Sequence, residues 1–176
     1  RDDRTRLRYR LRAGVKYQHN KWASLGARIR TGNPKKQQDP QLTLGDGSKE
    51  FGTLPIALEK AYLKGEKNNF SFWLGKNTFP FKKQNELFWS DNVYPEGVFI
   101  QKKFSNPNNF LTSFEINGGH FILNTRGKTL IDDTYFQGFQ LVSGFKQRGN
   151  LCSDIYLCKN VQNTPDGGET YYLDYT

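Results

Sequence analysis

The sequence predicts an all-β fold, an antiparallel transmembrane β-barrel, and three observations carry that prediction. Apolar and charged residues alternate with a period of two over a long N-terminal stretch. Strand-like segments then recur along the chain with little sign of a helix. The connections between those segments alternate between short and long.

The first element runs from Thr5 to Tyr17, where the alternation is strictest. Leu7, Tyr9, Leu11, Ala13, Val15 and Tyr17 take the odd positions, and Arg6, Arg8, Arg10, Arg12 and Lys16 take even ones. A period of two sends alternate side chains to opposite faces of a strand. One face is therefore apolar, and the other is a ladder of cations spaced about 7 Å apart. The alternation is about twice as long as a typical strand of a soluble domain. An apolar face against something oily and a charged face in water is the pattern of a barrel strand in a membrane.

A tight turn at Gln18-His19-Asn20 leads to a second strand, Lys21 to Thr31, with Ala23, Leu25, Ala27 and Ile29 on one face and Trp22, Ser24, Arg28 and Arg30 on the other. Folding this hairpin about His19 or Asn20 sets even positions against even positions, so Arg28 and Arg30 face Arg8, Arg10 or Arg12. Like charges directly opposed destabilise a sheet. This face therefore needs water, anions or facing carboxylates. A long polar loop, Gly32 to Leu54, precedes strand three, Ile56 to Lys64, in which Glu59 and Lys60 offer a carboxylate and a further cation.

A short turn, Gly65 to Asn69, leads to strand four, Phe70 to Lys76. A second long connection, Asn77 to Gly97, carries Phe79-Pro80-Phe81, Leu87-Phe88-Trp89 and the charges Lys82, Lys83, Glu86, Asp91 and Glu96. Both a constriction folded into a pore and an extracellular loop suit that composition. Strand five is Val98 to Phe104, Ser105 to Asn109 a short turn, and strand six Phe110 to Leu123, whose Gly118-Gly119 pair suggests a bend or bulge. Asn124 to Asp133 is a medium loop, Thr134 to Lys146 strand seven, Gln147 to Asn150 a short turn and Leu151 to Lys159 strand eight. Asn160 to Glu169 then leads into a ninth segment, Thr170 to Tyr175. Short turns at one end and longer loops at the other are the habit of outer-membrane barrels. Tyr17, Trp22, Phe70, Phe104, Phe110 and Phe145 gather beside the short turns, as an interfacial aromatic belt does.

The 176 residues suffice for one domain. No apolar run approaches the ~20 residues of a membrane helix. With 35% hydrophobic but 15% aromatic residues, the composition suits a water-filled barrel as well as a soluble sheet. The opening Arg-Asp-Asp-Arg is not an initiation site, and the ninth segment breaks off mid-strand, so the expectation is a single barrel domain over residues 1–176 that is cut at both ends. Cys152 and Cys158 lie roughly 20 Å apart along one strand, too far to bridge.

Signals for catalysis are poor. His19 sits in a turn and His120 beside the glycine pair, with no Ser or carboxylate at triad spacing. Asp166-Gly167-Gly168 reads as a turn and not as a calcium loop, and no Gly-rich phosphate loop opens a helix. The chain is therefore expected to be no enzyme and to hold no cofactor or metal. The net charge of +9 invites a nucleic-acid reading. However, the aromatics lie on the face opposite the arginines, which argues against a base-stacking platform.

At this point the residues resemble a family. Arg4-Thr-Arg-Leu-Arg-Tyr-Arg-Leu-Arg12, Leu25-Gly-Ala-Arg-Ile-Arg-Thr-Gly-Asn33, Ala61-Tyr62-Leu63, Leu74-Gly75-Lys76 and Pro95-Glu96-Gly97 occur in order. The set is similar to the putative porin family of Gram-negative outer membranes, related to phosphate-selective and alginate-export porins, and the Lys and Asn richness suits a Bacteroidota source. The resemblance implies a barrel of about 16 strands or more, of which about half stand here, and passive passage of small hydrophilic solutes in the bacterial outer membrane. It carries over only the basic positions of the first hairpin.

The expected pore-lining, anion-attracting set is Arg6, Arg8, Arg10, Arg12, Lys16, Arg28, Arg30 and Lys60. Expected partners are the lipid bilayer, small hydrophilic or anionic solutes, and a homo-oligomer or larger outer-membrane complex. The rival readings are a non-conducting structural subunit of such a complex and a soluble β-sheet protein that binds a polyanion.

Overall fold

The computed structural model describes residues 7–34, 37, 41–44, 54–83, 89–125, 133–146 and 149–159. Within them every regular element is a strand: β1 (Arg8–Tyr9), β2 (Arg12–Gln18), β3 (Ala23–Thr31), β4 (Leu42–Thr43), β5 (Ile56–Lys67), β6 (Phe70–Lys76), β7 (Glu96–Ser105), β8 (Leu111–Asn124), β9 (Thr134–Phe145) and β10 (Gly149–Lys159). Eight of them form one antiparallel sheet in the order β10-β9-β8-β7-β6-β5-β3-β2. Apart from β4, sheet order is chain order, so the architecture is an up-and-down meander, the pattern of a barrel wall. Antiparallel pairing throughout puts the four short turns (after β2, β5, β7 and β9) at one edge and the longer connections at the other. The expected fold class stands.

The turns follow from their residues. Asn68 and Asn69 both have positive φ (51° and 62°), which asparagine tolerates better than most residues. Two such residues make the turn whose twist matches a hairpin, and Lys67 pairs directly with Phe70. At the first turn, Asn20 Oδ1 accepts from the backbone N–H of Trp22 (2.9 Å) and Ala23 (2.8 Å).

Three details differ from the sequence expectation. The long N-terminal strand is broken at Arg10–Leu11. Beyond it, β1 pairs with β4, a strand inside what reads as polar loop, with Arg8 opposite Thr43 and Tyr9 opposite Leu42. Leu11 instead stays with Thr31, whose N–H donates to its carbonyl at 3.0 Å. Consequently Arg12 faces Arg30 and Gly14 faces Arg28, while Arg8 and Arg10 oppose neither arginine. The Gly118-Gly119 pair, read as a bend, lies in unbroken register with β7 and β9; the irregularities of β8 fall at its ends, Leu111/Ser113 and Ile122/Asn124. The ninth segment, Thr170 to Tyr175, lies outside the described residues.

The sheet has one bare face. Tyr17, Leu25, Leu63, Leu74 and Val98 form a continuous row across β2, β3, β5, β6 and β7, in direct register. These side chains remain 38–59% exposed. Phe139, Ile155 and Leu157 extend the same face across β9 and β10. The opposite face is polar in places, as in the row Gln101, Asn117, Gln140 and Asp154. Elsewhere it is aromatic: Trp73, Phe99, Phe121 and Phe136 are buried there with Phe81, which arrives from the connection between β6 and β7. The core is thus a cluster between the sheet and its own loop.

Phe121 is fully buried at its centre, stacked between Trp73 (centroids 5.7 Å) and Phe136 (6.0 Å). Phe121→Ala is expected to lower stability by about 3–5 kcal/mol, measured by urea unfolding in lipid vesicles with tryptophan fluorescence as the probe. A loss under about 1 kcal/mol would mean that the cluster is not the core.

Candidate functional site

The described parts of the connection between β6 and β7, residues 77–83 and 89–95, fold back over the sheet. The base of the connection is closed by Asn77 N–H donating to Pro95 O (3.1 Å). Phe81 then descends edge-on between Phe99, Phe121 and Tyr156, with centroids 5.6–6.2 Å away. Edge-to-face contact at this spacing is the favoured aromatic geometry. Space for the ring comes from two in-strand glycines, paired across β8 and β9. A Cβ on Gly138 would lie 2.6 Å from Phe81, and one on Gly119 would lie 3.1 Å from it.

Next to the notch, Gln140 performs a strand's hydrogen bonding with a side chain. Its Oε1 accepts from Lys82 N–H (3.0 Å) and its Nε2 donates to Lys82 O (2.9 Å), while Asn117 Nδ2 donates to the same Oε1 (3.1 Å). Gln140 is 0% exposed, so these bonds satisfy an amide that would otherwise be costly to bury. Further along, Lys83 Nζ reaches Trp89 O (3.0 Å) and pairs with Asp91, while Trp89 stacks on Phe79 at 4.5 Å.

The other end of the loop rests on cations. The Tyr94 hydroxyl accepts from Arg28 Nη2 (3.0 Å) and Arg12 Nη2 (3.3 Å). Its ring lies 5.3 Å from Lys60 Nζ and 5.6 Å from Arg28 Cζ, both in cation–π range. Burial pushes the phenol above its usual pKa, and the charge of Glu59 adds to the rise, so Tyr94 stays neutral at physiological pH. Asn92 Oδ1 accepts from Arg10 Nη1 (3.3 Å) and Arg12 Nη2 (3.4 Å).

Beneath Tyr94 lies Glu59, 1% exposed. Its Oε1 accepts from Arg12 Nε (2.9 Å) and Nη2 (2.6 Å), and its Oε2 lies 2.6 Å from Arg28 Nε. It stands at a bulge. Arg28 pairs with Lys60 and Ile29 with Leu58, so Glu59 is the extra residue of β5. Glu59 follows Ala57 onto the covered face, and the extra residue keeps Lys60 on that face beside it.

The expected site residues divide accordingly. Arg10, Arg12, Arg28 and Lys60 meet around Asn92 and Tyr94. Arg8 lies in β1, apart from the main sheet, and Lys16 stands exposed opposite Gly26. Arg30 is buried and donates to Thr31 O (3.1 Å) and Asn33 O (3.4 Å), so it binds backbone. Arg6 lies outside the described residues. Sequence reasoning missed Gln140, Asn117, Phe81 and Tyr94. The signal within reach was the glycine in each of two neighbouring strands, which marks close approach by something else.

Residues 1–162 match a family model whose description is putative porin. No curated protein and no solved structure matches the chain.

The glycine notch and the Gln140 amide make the loop's docking testable. Gln140→Ala removes two bonds to Lys82, each worth about 1 kcal/mol. Cleavage by trypsin after Lys82 or Lys83 is then expected to rise by at least about tenfold. Unchanged cleavage would show that the loop does not depend on this contact.

Proposed function

The chain belongs to the putative porin family, and on that premise we propose that its sheet is a wall segment of an outer-membrane β-barrel. The barrel passes small hydrophilic solutes with a bias toward anions. The observation that carries the reading is the division of the sheet into a bare apolar face and a covered face with charge. In a barrel the bare face meets lipid and the covered face the lumen.

The dimensions support it. At the long-loop end, the bare face carries a row of polar residues: Lys76, Glu96, Tyr135 and Lys159 accompany Ile122. From Glu96 to Phe104, beside the short turns, β7 advances about 27 Å. At a tilt of about 40° this is about 21 Å along the barrel axis, close to the apolar band of such proteins. Phe104 and Phe70 are exposed there, where an aromatic girdle stands. The edges of β2 and β10 have no partner among the described strands. Lipid satisfies no backbone group, so further strands close the wall.

On this reading the loop from Asn77 to Pro95 narrows the lumen along the face it covers. Arg10, Arg12, Arg28 and Lys60, with Arg8 and Lys16 above and below, raise the local anion concentration. Exit stays fast because the contacts are multiple and hydrated.

Two measurements test the proposal. In planar bilayers under a salt gradient, the reversal potential of the full-length protein is expected to have the sign of anion preference, and Arg8→Ser with Arg10→Ser is expected to move it toward zero without loss of assembly. Cation preference, or no conductance, would sink the reading. On the bare face, Ile100→Arg is expected to cost about 2–4 kcal/mol of stability in bilayers. A neutral effect would place that face in water.

A further inference from the structure

We propose that Glu59 sets the selectivity of this wall: it is a buried counter-charge that cancels one of the two arginines at the loop's seat. The inference rests on the porin reading and adds to it a carboxylate that opposes the arginine ladder.

Arg12, Arg28 and Glu59 form a unit of net charge +1. Arg12 donates to one carboxylate oxygen from Nε and Nη2, Arg28 Nε lies 2.6 Å from the other, and the two arginine side chains retain exposures of 28% and 31% against 0% for Glu59. Among the described ion pairs, Glu59 is the one carboxylate that meets either arginine. The bulge in β5 adds a second argument. A carboxylate that served only to fill space has no need of an irregular backbone. Here the extra residue leaves Glu59 and Lys60 side by side on the covered face, with Glu59 between two cations at the point where Asn92 and Tyr94 of the loop come down.

Two effects follow from one residue. Glu59 lowers the positive potential at the loop's seat, which quickens the release of anions. It also fixes the planes of Arg12 and Arg28, whose remaining N–H groups hold the Tyr94 hydroxyl. Glu59 is thus a specificity-setting residue by its charge and a positioning residue by its bonds. Selectivity reads the first and not the second.

The test uses the full-length protein in planar bilayers. Glu59→Gln is expected to raise the anion-to-cation permeability ratio by about tenfold in dilute salt, since one unit charge about 6 Å from a hydrated path shifts anions and cations about threefold each in opposite directions. The gain is expected to shrink as salt rises. The double variant Arg12→Gln, Glu59→Gln restores the net charge and is expected to return the ratio to the wild-type value. If Glu59→Gln does not assemble, comparing Arg12→Gln with the double variant isolates the same charge, and the double variant is expected to be the more anion-selective by the same factor. A wild-type protein that conducts with a ratio indifferent to Glu59 overturns this inference and leaves the porin reading standing. A wild-type protein that does not conduct overturns both.

Discussion

Each strand of this sheet has to meet two different surroundings, because alternate side chains leave it on opposite sides and none of the described residues packs over one of them. The rest of the structure depends on that constraint. The row from Tyr17 to Val98 is apolar and bare. All buried aromatic packing is therefore pushed to the other face, where the chain supplies its own second layer by folding Asn77 to Pro95 back. A single sheet has no partner sheet to close its core, and here one loop does that work for half of the covered face.

The other half is governed by charge. A ladder of arginines on one face repels itself, and the structure answers in three ways. Glu59 sits between Arg12 and Arg28. Arg30 turns onto backbone carbonyls. Arg10 and Lys60 take neutral partners, the amide of Asn92 and the ring of Tyr94. The same loop residues that accept from the cations also settle the loop, so wall charge and loop position are joined in one set of contacts.

Much of this was legible in the residues. Period-two alternation locates most strands to within a few residues, and the rhythm of connections gives the meander. A need for water, anions or facing carboxylates followed from setting Arg28 and Arg30 against Arg8, Arg10 or Arg12, and the structure supplies a carboxylate between Arg12 and Arg28. What alternation does not carry is its own interruption: the bulge at Glu59 puts that residue and Lys60 on one face, and no local signal marks it. The departure of β1 toward β4 is equally silent, since the pattern of Arg8 and Tyr9 suits either partner. Gly118-Gly119 was read through backbone freedom alone. Gly119 is explained by side chains: a Cβ there would lie 2.5 Å from Phe121 of its own strand and 3.1 Å from Phe81, which only the folded loop brings near.

The notch at Gly138 is, in effect, a mould of one ring. A methyl group at position 138 would fall inside the space that Phe81 occupies. The loop and the wall are consequently not free to diversify independently, although loops on barrels usually vary more than strands. Residues 81 and 138 form a size-matched pair, in which enlargement of one demands reduction of the other. Among descendants of this sequence, covariation is therefore expected at these two positions.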